Sequence, residues 1–263
     1  MNRDWISQRI TDPRSRGFEL PGGPTGALLL HGFTATAALV RPVGEALSER
    51  GCQVVAPLLP GHGQSLKDMN RSDRQAWWAC AQENYQRLAD RCQRVIVVGH
   101  SMGGLLALLL AERFEPAALV TLAAAVRLRA PVTPALARLA ARVKPYRRWG
   151  DSRPAEPGCD TDNDINYTGM PMAKVADLLE LSRAARRELD RITCPLLMVQ
   201  GRRDETVNPD SGRIILDGAV NAAQRRALWL PEAYHNLTCG PFRHEVIAEV
   251  TDFLSSLGLM ATH

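Results

Sequence analysis

A chain of 263 residues with 45% hydrophobic and 23% charged side chains has apolar matter for one large buried core, which excludes a disordered or low-complexity scaffold. The net charge of +4 is small for this length, and the basic residues are not interleaved with aromatics, which excludes a nucleic-acid platform. A small-molecule enzyme is the expected class.

In chain order, the start Met1-Asn2-Arg3-Asp4-Trp5-Ile6 carries no apolar signal region. Short apolar runs then recur at Ala27 to Leu30, Cys52 to Ala56, Arg94 to Val98, Ala118 to Leu122, Pro195 to Gln200 and Ala227 to Leu230. Each has strand length. Between them, helical spacing covers Ala37 to Arg50, Asp73 to Arg91, Leu105 to Phe114, Asp210 to Ala219 and Pro241 to Leu257. Strands alternating with helices predict an α/β fold, a mostly parallel sheet covered on both faces.

The alternation stops between Val126 and Leu189, where no clear strand is expected. Leu136, Leu139, Ala140 and Val143 make a short amphipathic stripe with Arg138 and Arg142 on another face. A turn-rich stretch around Pro154, Pro157 and Gly158 follows, then a helix from Met172 to Asp190. Residues 126–189 are expected to form a helical cap inserted into a core of residues 1–125 and 190–263. Its basic first part (Arg127, Arg129, Arg138, Arg142, Lys144, Arg147, Arg148) is expected to attract its acidic second part (Asp151, Glu156, Asp160, Asp162, Asp164).

No run reaches the roughly 18 to 20 residues that a bilayer requires. Cys52, Cys80, Cys92, Cys159, Cys194 and Cys239 show neither Cys-x-x-Cys nor zinc-like spacing. They read as buried thiols in a reducing compartment, so a cytoplasmic location is expected.

Gly99-His100-Ser101-Met102-Gly103 lies between the run ending at Val98 and the helix opening at Gly104-Leu105. Gly-x-Ser-x-Gly on a strand-to-helix turn is the pattern of a nucleophile elbow, which lifts the Ser101 hydroxyl toward a substrate. A serine hydroxyl needs a base to take its proton and a third group to hold that base. In this fold type the order is serine, acid, histidine, each on a loop after a strand. Only His235, His244 and His263 follow Ser101. His235 leaves the last strand on a loop, whereas His244 falls in a helix and His263 ends the chain. Asp204 follows the strand ending at Gln200 and the turn glycine Gly201. Glu205 is its neighbouring competitor, and Asp210 is better placed to cap the next helix.

A tetrahedral oxyanion calls for two backbone donors. Met102, after the nucleophile, is expected to supply one. Phe33, in the early loop His31-Gly32-Phe33, is expected to supply the other and to line the acyl pocket, with Gly32 permitting the tight path. Gly32, His100 and Tyr234 are placed in the substrate pocket. His31 is read as a structural hydrogen-bonder and His62 as shaping the edge of the site.

Leu28-Leu29-Leu30-His31-Gly32-Phe33-Thr34, Leu59-Pro60-Gly61-His62-Gly63, the Ser101 turn, the Asp204 to Ser211 stretch and the His235 loop together resemble the α/β-hydrolase superfamily. Within it they are most similar to small bacterial carboxylesterases and monoacylglycerol lipases with a compact helical cap. The resemblance implies an α/β-hydrolase fold and hydrolysis of an acyl ester by water, without metal or organic cofactor. It also implies Ser101, Asp204 and His235 as a triad, with Phe33 and Met102 as oxyanion donors. Two features depart from the pattern: Ala233-Tyr234-His235 stands where Ser-Gly-His is common, and the cap is rich in arginine and proline.

The expected activity is that of a carboxylesterase or monoacylglycerol lipase on short- to medium-chain esters, in a pocket lined by Phe33, Met102 and small apolar cap residues. Acyl transfer, or amide or thioester hydrolysis, would use the same triad. A non-catalytic ligand-binding protein is the alternative from another class.

Overall fold

The computed structural model describes residues 4–130, 132–149, 158–159 and 162–260. A seven-stranded sheet organises them, in the order β1 (Phe18–Leu20), β3 (Gln53–Ala56), β2 (Thr25–Leu30), β4 (Arg94–His100), β5 (Ala118–Leu122), β8 (Leu196–Gly201) and β9 (Arg225–Leu230). All neighbours pair in parallel except β1, which runs antiparallel to β3 at the edge. The six expected strands are all present. β1 has three residues, one of them Glu19, and is too short for an alternation pattern to show.

Period-2 geometry divides each strand between two cores. On β2, Leu28 and Leu30 join a cluster with Trp77, Leu88, Leu105 and Leu109. Those partners come from α3 (Arg74–Ala89) and α4 (Met102–Phe114). Ala27 and Leu29 face the opposite way, toward Val43 and Leu47 of α1 (Arg41–Glu49) and Val246, Val250 and Phe253 of α8 (Arg243–Ser256). The spacings of four and three put those side chains on one helix face.

α4 is buried along Met102–Glu112. A helix apolar on all sides belongs inside a protein, and α4 packs between the sheet and α6 (Met172–Arg187). The helix expected over Ala37 to Arg50 splits, because Ala37–Val40 forms a tighter 3-10 turn ahead of α1. A helix not foreseen, α2 (Leu66–Arg71), is capped by Ser65, whose Oγ accepts from the Asp68 amide at 3.3 Å. At α7 (Asp210–Gly218) the N-cap position is Pro209; Asp210 lies inside the first turn and pairs with Arg127.

Between β5 and β8 the chain leaves the sheet and forms α5 (Pro134–Val143), β6 (Tyr146–Arg148), β7 (Gly169–Pro171) and α6. The antiparallel β6–β7 pair corrects the expectation of no strand there. Its strands have three residues each and their partners lie over twenty residues apart, so nothing local announces them. α5 also departs from expectation. Its apolar stripe faces outward, with Leu136 53%, Leu139 57% and Val143 86% exposed. Ala137, a small residue that permits close approach, turns inward against Val175 and Ala176 of α6. Two residues of the basic half pair outside the acidic stretch: Arg127 with Asp210, and Arg138 with Glu180 of α6. Asp162 of the acidic half pairs with Arg14. The turn at Pro154 and Pro157, the acids Asp151, Glu156 and Asp160, and His263 lie outside the described residues.

The cysteine reading is corrected at one pair. Cys159 and Cys239, 80 residues apart, form a disulfide with their Cα atoms 5.2 Å apart, a proximity that only the tertiary fold creates. Cys52, Cys80, Cys92 and Cys194 are free. Burial pushes the Cys194 thiol up to about 12 and the Cys52 thiol up to about 11, which keeps them protonated and inert. Among the described residues, no helix is long and apolar enough to cross a membrane.

Candidate active site

Ser101 sits between β4 and α4 with φ 56 and ψ −113, a left-handed conformation that strains any side-chain-bearing residue. Its amide donates to Leu122 O at 2.9 Å, which ties the turn to β5. The flanking glycines are required by close approach. A Cβ on Gly99 would lie 2.2 Å from Gly103 O, and one on Gly103 would lie 2.0 Å from Leu30 O. Gly103→Ala is therefore expected to cost on the order of 4 kcal/mol or prevent folding. A thermal melt of the purified variant checks this, and near wild-type stability would contradict it.

The loops after β8 and β9 bring two more side chains to the same end of the sheet. His235 Nε2 lies 3.0 Å from Ser101 Oγ, and His235 Nδ1 lies 2.7 Å from Asp204 Oδ2. Nδ1–H donating to the carboxylate leaves Nε2 free to accept the serine proton. Asp204 is fully buried. Its Oδ1 accepts from the Val207 and Thr206 amides at 2.7 and 2.8 Å, and its Oδ2 from Gln200 Nε2 at 3.2 Å. Burial alone would lift this carboxyl; the His235 ring and the two amides outweigh it and hold Asp204 below its ordinary value. Glu205, the competitor, is exposed. A hydroxyl, an imidazole and a buried carboxylate in this line can pass one proton from oxygen to nitrogen and stabilise the resulting imidazolium.

Burial holds three other histidines, His31, His62 and His100, neutral. Burial, with the adjacent His235, brings His100 down to about 3, and its Nε2–H donates to His235 O at 3.0 Å. Burial and neighbouring His62 bring His31 down to about 3. His31 donates from Nδ1 to Gly32 O at 2.9 Å and accepts from the Leu59 amide at 3.0 Å, so it braces two loops as expected. His62 is buried behind them, edge-on to Trp77 with ring centroids 5.8 Å apart. It does not line the cleft, contrary to its expected place at the edge of the site. His244 is exposed on α8.

A cleft of about 520 Å³, counting its open mouth, reaches Ser101 and His235. Gly32, Phe33 and His100 line it, as expected. Met102 does not; it is buried in the core at the N-terminus of α4, where helix amides point outward unpaired. Tyr234 does not line this cleft, contrary to expectation; it lines a separate cleft with Leu237, Pro241 and Phe242. The walls from residues 126–189 are Leu128, Trp149, Asn166 and Leu178, larger and more polar than the small apolar residues expected. They are scattered through a segment with little pattern, and only their convergence on Ser101 reveals them.

The profile of the Hydrolase_4 family, serine aminopeptidase S33, matches residues 26–241. The thermostable monoacylglycerol lipase of Bacillus sp. (strain H-257) is 33% identical over 239 residues, covering 90% of this chain and 93% of that protein. A carboxylesterase of Bacillus subtilis (strain 168) is 27% identical over 241 residues, covering 91% and 96%. A solved structure from work on LipS and LipT, two metagenome-derived lipolytic enzymes, superposes with a TM-score of 0.81 at 26% identity over 95% of this chain and 100% of that one. With a matching profile across most of its length, a mostly parallel sheet and these relatives, the chain belongs to the serine aminopeptidase S33 family and has the α/β-hydrolase fold.

Proposed function

We propose that the protein is a carboxylic ester hydrolase working through an acyl-enzyme on Ser101, with His235 as general base and acid and Asp204 as its orienting partner. The observation that carries this reading is the Ser101–His235–Asp204 hydrogen-bond line at the floor of a cleft. Ser101 Oγ attacks the ester carbonyl as its proton passes to His235 Nε2. The oxyanion is held by the amides of Met102 and Phe33, and the alcohol leaves with the proton from Nε2. Water, deprotonated by the same nitrogen, then releases the acid.

Residues 126–189 act as a cap over the core of residues 1–125 and 190–263, and their Trp149 and Leu178 face the substrate. Short- to medium-chain acyl esters, monoacylglycerols among them, are the substrate class. The relatives' names, monoacylglycerol lipase and carboxylesterase, support this. The family's name raises the alternative of peptide amino ends, whose cationic amine would need a carboxylate in the pocket. Among the described residues lining the cleft there is no acid, which favours esters over peptides.

An ester panel varying acyl length and alcohol, run with an active-site phosphonate and a Ser101→Ala control, tests the reading. Labelling of wild-type protein alone, with turnover that declines for very long acyl chains, is expected. Absence of labelling and turnover would sink it. Trp149→Ala, which removes the largest wall, is expected to raise the kcat/KM ratio of bulky to small esters about tenfold. An unchanged ratio across the panel would place Trp149 outside substrate contact.

A further inference from the structure

We propose that the Cys159–Cys239 disulfide is a redox-operated clamp on the substrate pocket: a dithiol opens it, loosens the chain around Cys159 from the loop that carries His235, and weakens substrate binding while the acyl-transfer chemistry continues. The proposal rests on the reading of the Ser101 cleft as an ester site.

Cys239 is buried four residues beyond His235, and Cys159 is half-buried in the stretch between β6 and β7. The pair packs with Ala35 and Leu39, which also line the cleft. Beyond the bond, residues 162–167 reach the pocket wall through Asn166. Asp164, its carboxylate within 4.8 Å of both sulfurs, accepts from Asn166 Nδ2, and its Oδ1 also accepts from Asn236 Nδ2 at 3.4 Å; Asn166 and Asn236 both line the cleft. Thr36 Oγ donates to Ile165 O at 3.1 Å, and the Tyr167 amide to Thr34 O at 3.0 Å. The disulfide thus fixes one end of a strap laid across the loop that carries Phe33 and the loop that carries His235.

What remains when the bond opens explains the expected split. Tyr167 stays anchored, its hydroxyl donating to Gly61 O at 2.7 Å and accepting from the Gln64 amide at 2.9 Å. His235 keeps Asp204, and its carbonyl keeps the His100 ring. The Gly240 amide still donates to Asn236 O at 2.9 Å, so the loop keeps its own turn. Proton transfer therefore survives, whereas the wall made by Asn166 and Asn236 loses its tether.

The chemistry is thiol–disulfide exchange. A thiolate of the dithiol attacks Cys159 Sγ, the more accessible sulfur. The S–S bond breaks, and Cys239 leaves as a thiolate that takes up a proton. The second thiol of the reductant resolves the mixed disulfide and releases Cys159 as a thiol, the dithiol having given two electrons and become a cyclic disulfide. Oxidised dithiol reverses the sequence.

The test compares full-length protein equilibrated in reduced or oxidised dithiothreitol. After denaturation, alkylation is expected at four cysteines in the oxidised protein and at all six in the reduced. On reduction, KM for a short-chain ester rises at least threefold with kcat within twofold, and oxidised dithiothreitol restores it. Cys159→Ser, a change at a half-buried position, holds the raised KM in both buffers. Six alkylations in oxidised buffer would overturn the proposal, as would a four-to-six change with KM unmoved, or a loss confined to kcat. Should no ester be turned over, the pocket reading falls by itself. Amide hydrogen exchange then reads the clamp: faster exchange across residues 162–166 on reduction supports it, and unchanged exchange overturns it.

Discussion

Ser101→Ala and His235→Ala are each expected to lower kcat/KM for a preferred ester by about 10⁴- to 10⁶-fold, and the double variant is expected to lose no more than the worse single one. The reason lies in the geometry. Ser101 Oγ and His235 Nε2 are 3.0 Å apart and share one proton, so removing either end abolishes the same transfer. Asp204→Asn is expected to cost about 10⁴-fold, since an amide facing Nδ1 favours the wrong ring tautomer. A residual rate of about 10³-fold over water would persist through the amide donors and binding. Initial rates on matched, folded variants, with melting curves to exclude unfolding, give the answer. A double variant whose losses multiply would show that the two side chains act in separate steps and would end the triad reading.

The second large effect concerns stability. Glu112 is buried in α4, both its carboxylate oxygens lack a hydrogen bond, and Arg113 stands 3.7 Å away. Burial, opposed by Arg113 and reinforced by Glu188, pushes its carboxyl up to about 8. The folded protein therefore holds a proton that the unfolded chain releases near its ordinary 4.5. Between those two values the folded state binds more protons, so raising the pH costs stability. This contribution is complete below about 4.5, lost progressively up to about 8, and flat beyond. Glu112→Gln removes the titration while keeping the shape. It is expected to flatten that part of the pH profile and to be more stable than wild type above pH 7 by on the order of 2 kcal/mol. Ester turnover should be unaffected, since Glu112 lies roughly 15 Å along α4 from the Ser101 turn. Urea unfolding at several pH values measures the difference. Parallel profiles for the two proteins would mean that Glu112 is ionised or solvated in the fold.

The readable parts of the sequence were those whose cause is local. Alternation of apolar runs with helical spacing placed six of the seven sheet strands. The Ser101 turn was legible because Gly99 and Gly103 answer a steric demand within a few residues. Asp204 and His235 could be found because each follows a strand whose own pattern is strong. The rest depended on contacts that no window of sequence contains. β1 is a three-residue edge strand, and β6 and β7 meet across a long stretch. Trp149, Asn166 and Leu178 meet around Ser101 only through the packing of α6 and the stretch before it. Cys159 finds Cys239 in the same way. α5 inverted its expected orientation because Ala137, not the leucine stripe, has the size to pack closely against α6. Tyr234 neighbours His235 in sequence, yet adjacency does not carry it into the cleft, and it lines a separate one.

The sheet order carries a consequence for how activity arises during folding. Ser101 hangs from β4, while Asp204 and His235 hang from β8 and β9, which reach β4 only through β5. The β5–β8 pairing closes over the long excursion that holds α5 and α6, a distant contact that is intrinsically slow to form. Helical signal is free to return before that step, but the three side chains cannot align until β9 has zipped onto β8 in register. Recovery of ester cleavage in a refolding time course would thus report the docking of β9 onto β8, which makes turnover a chronometer for assembly of that half of the sheet.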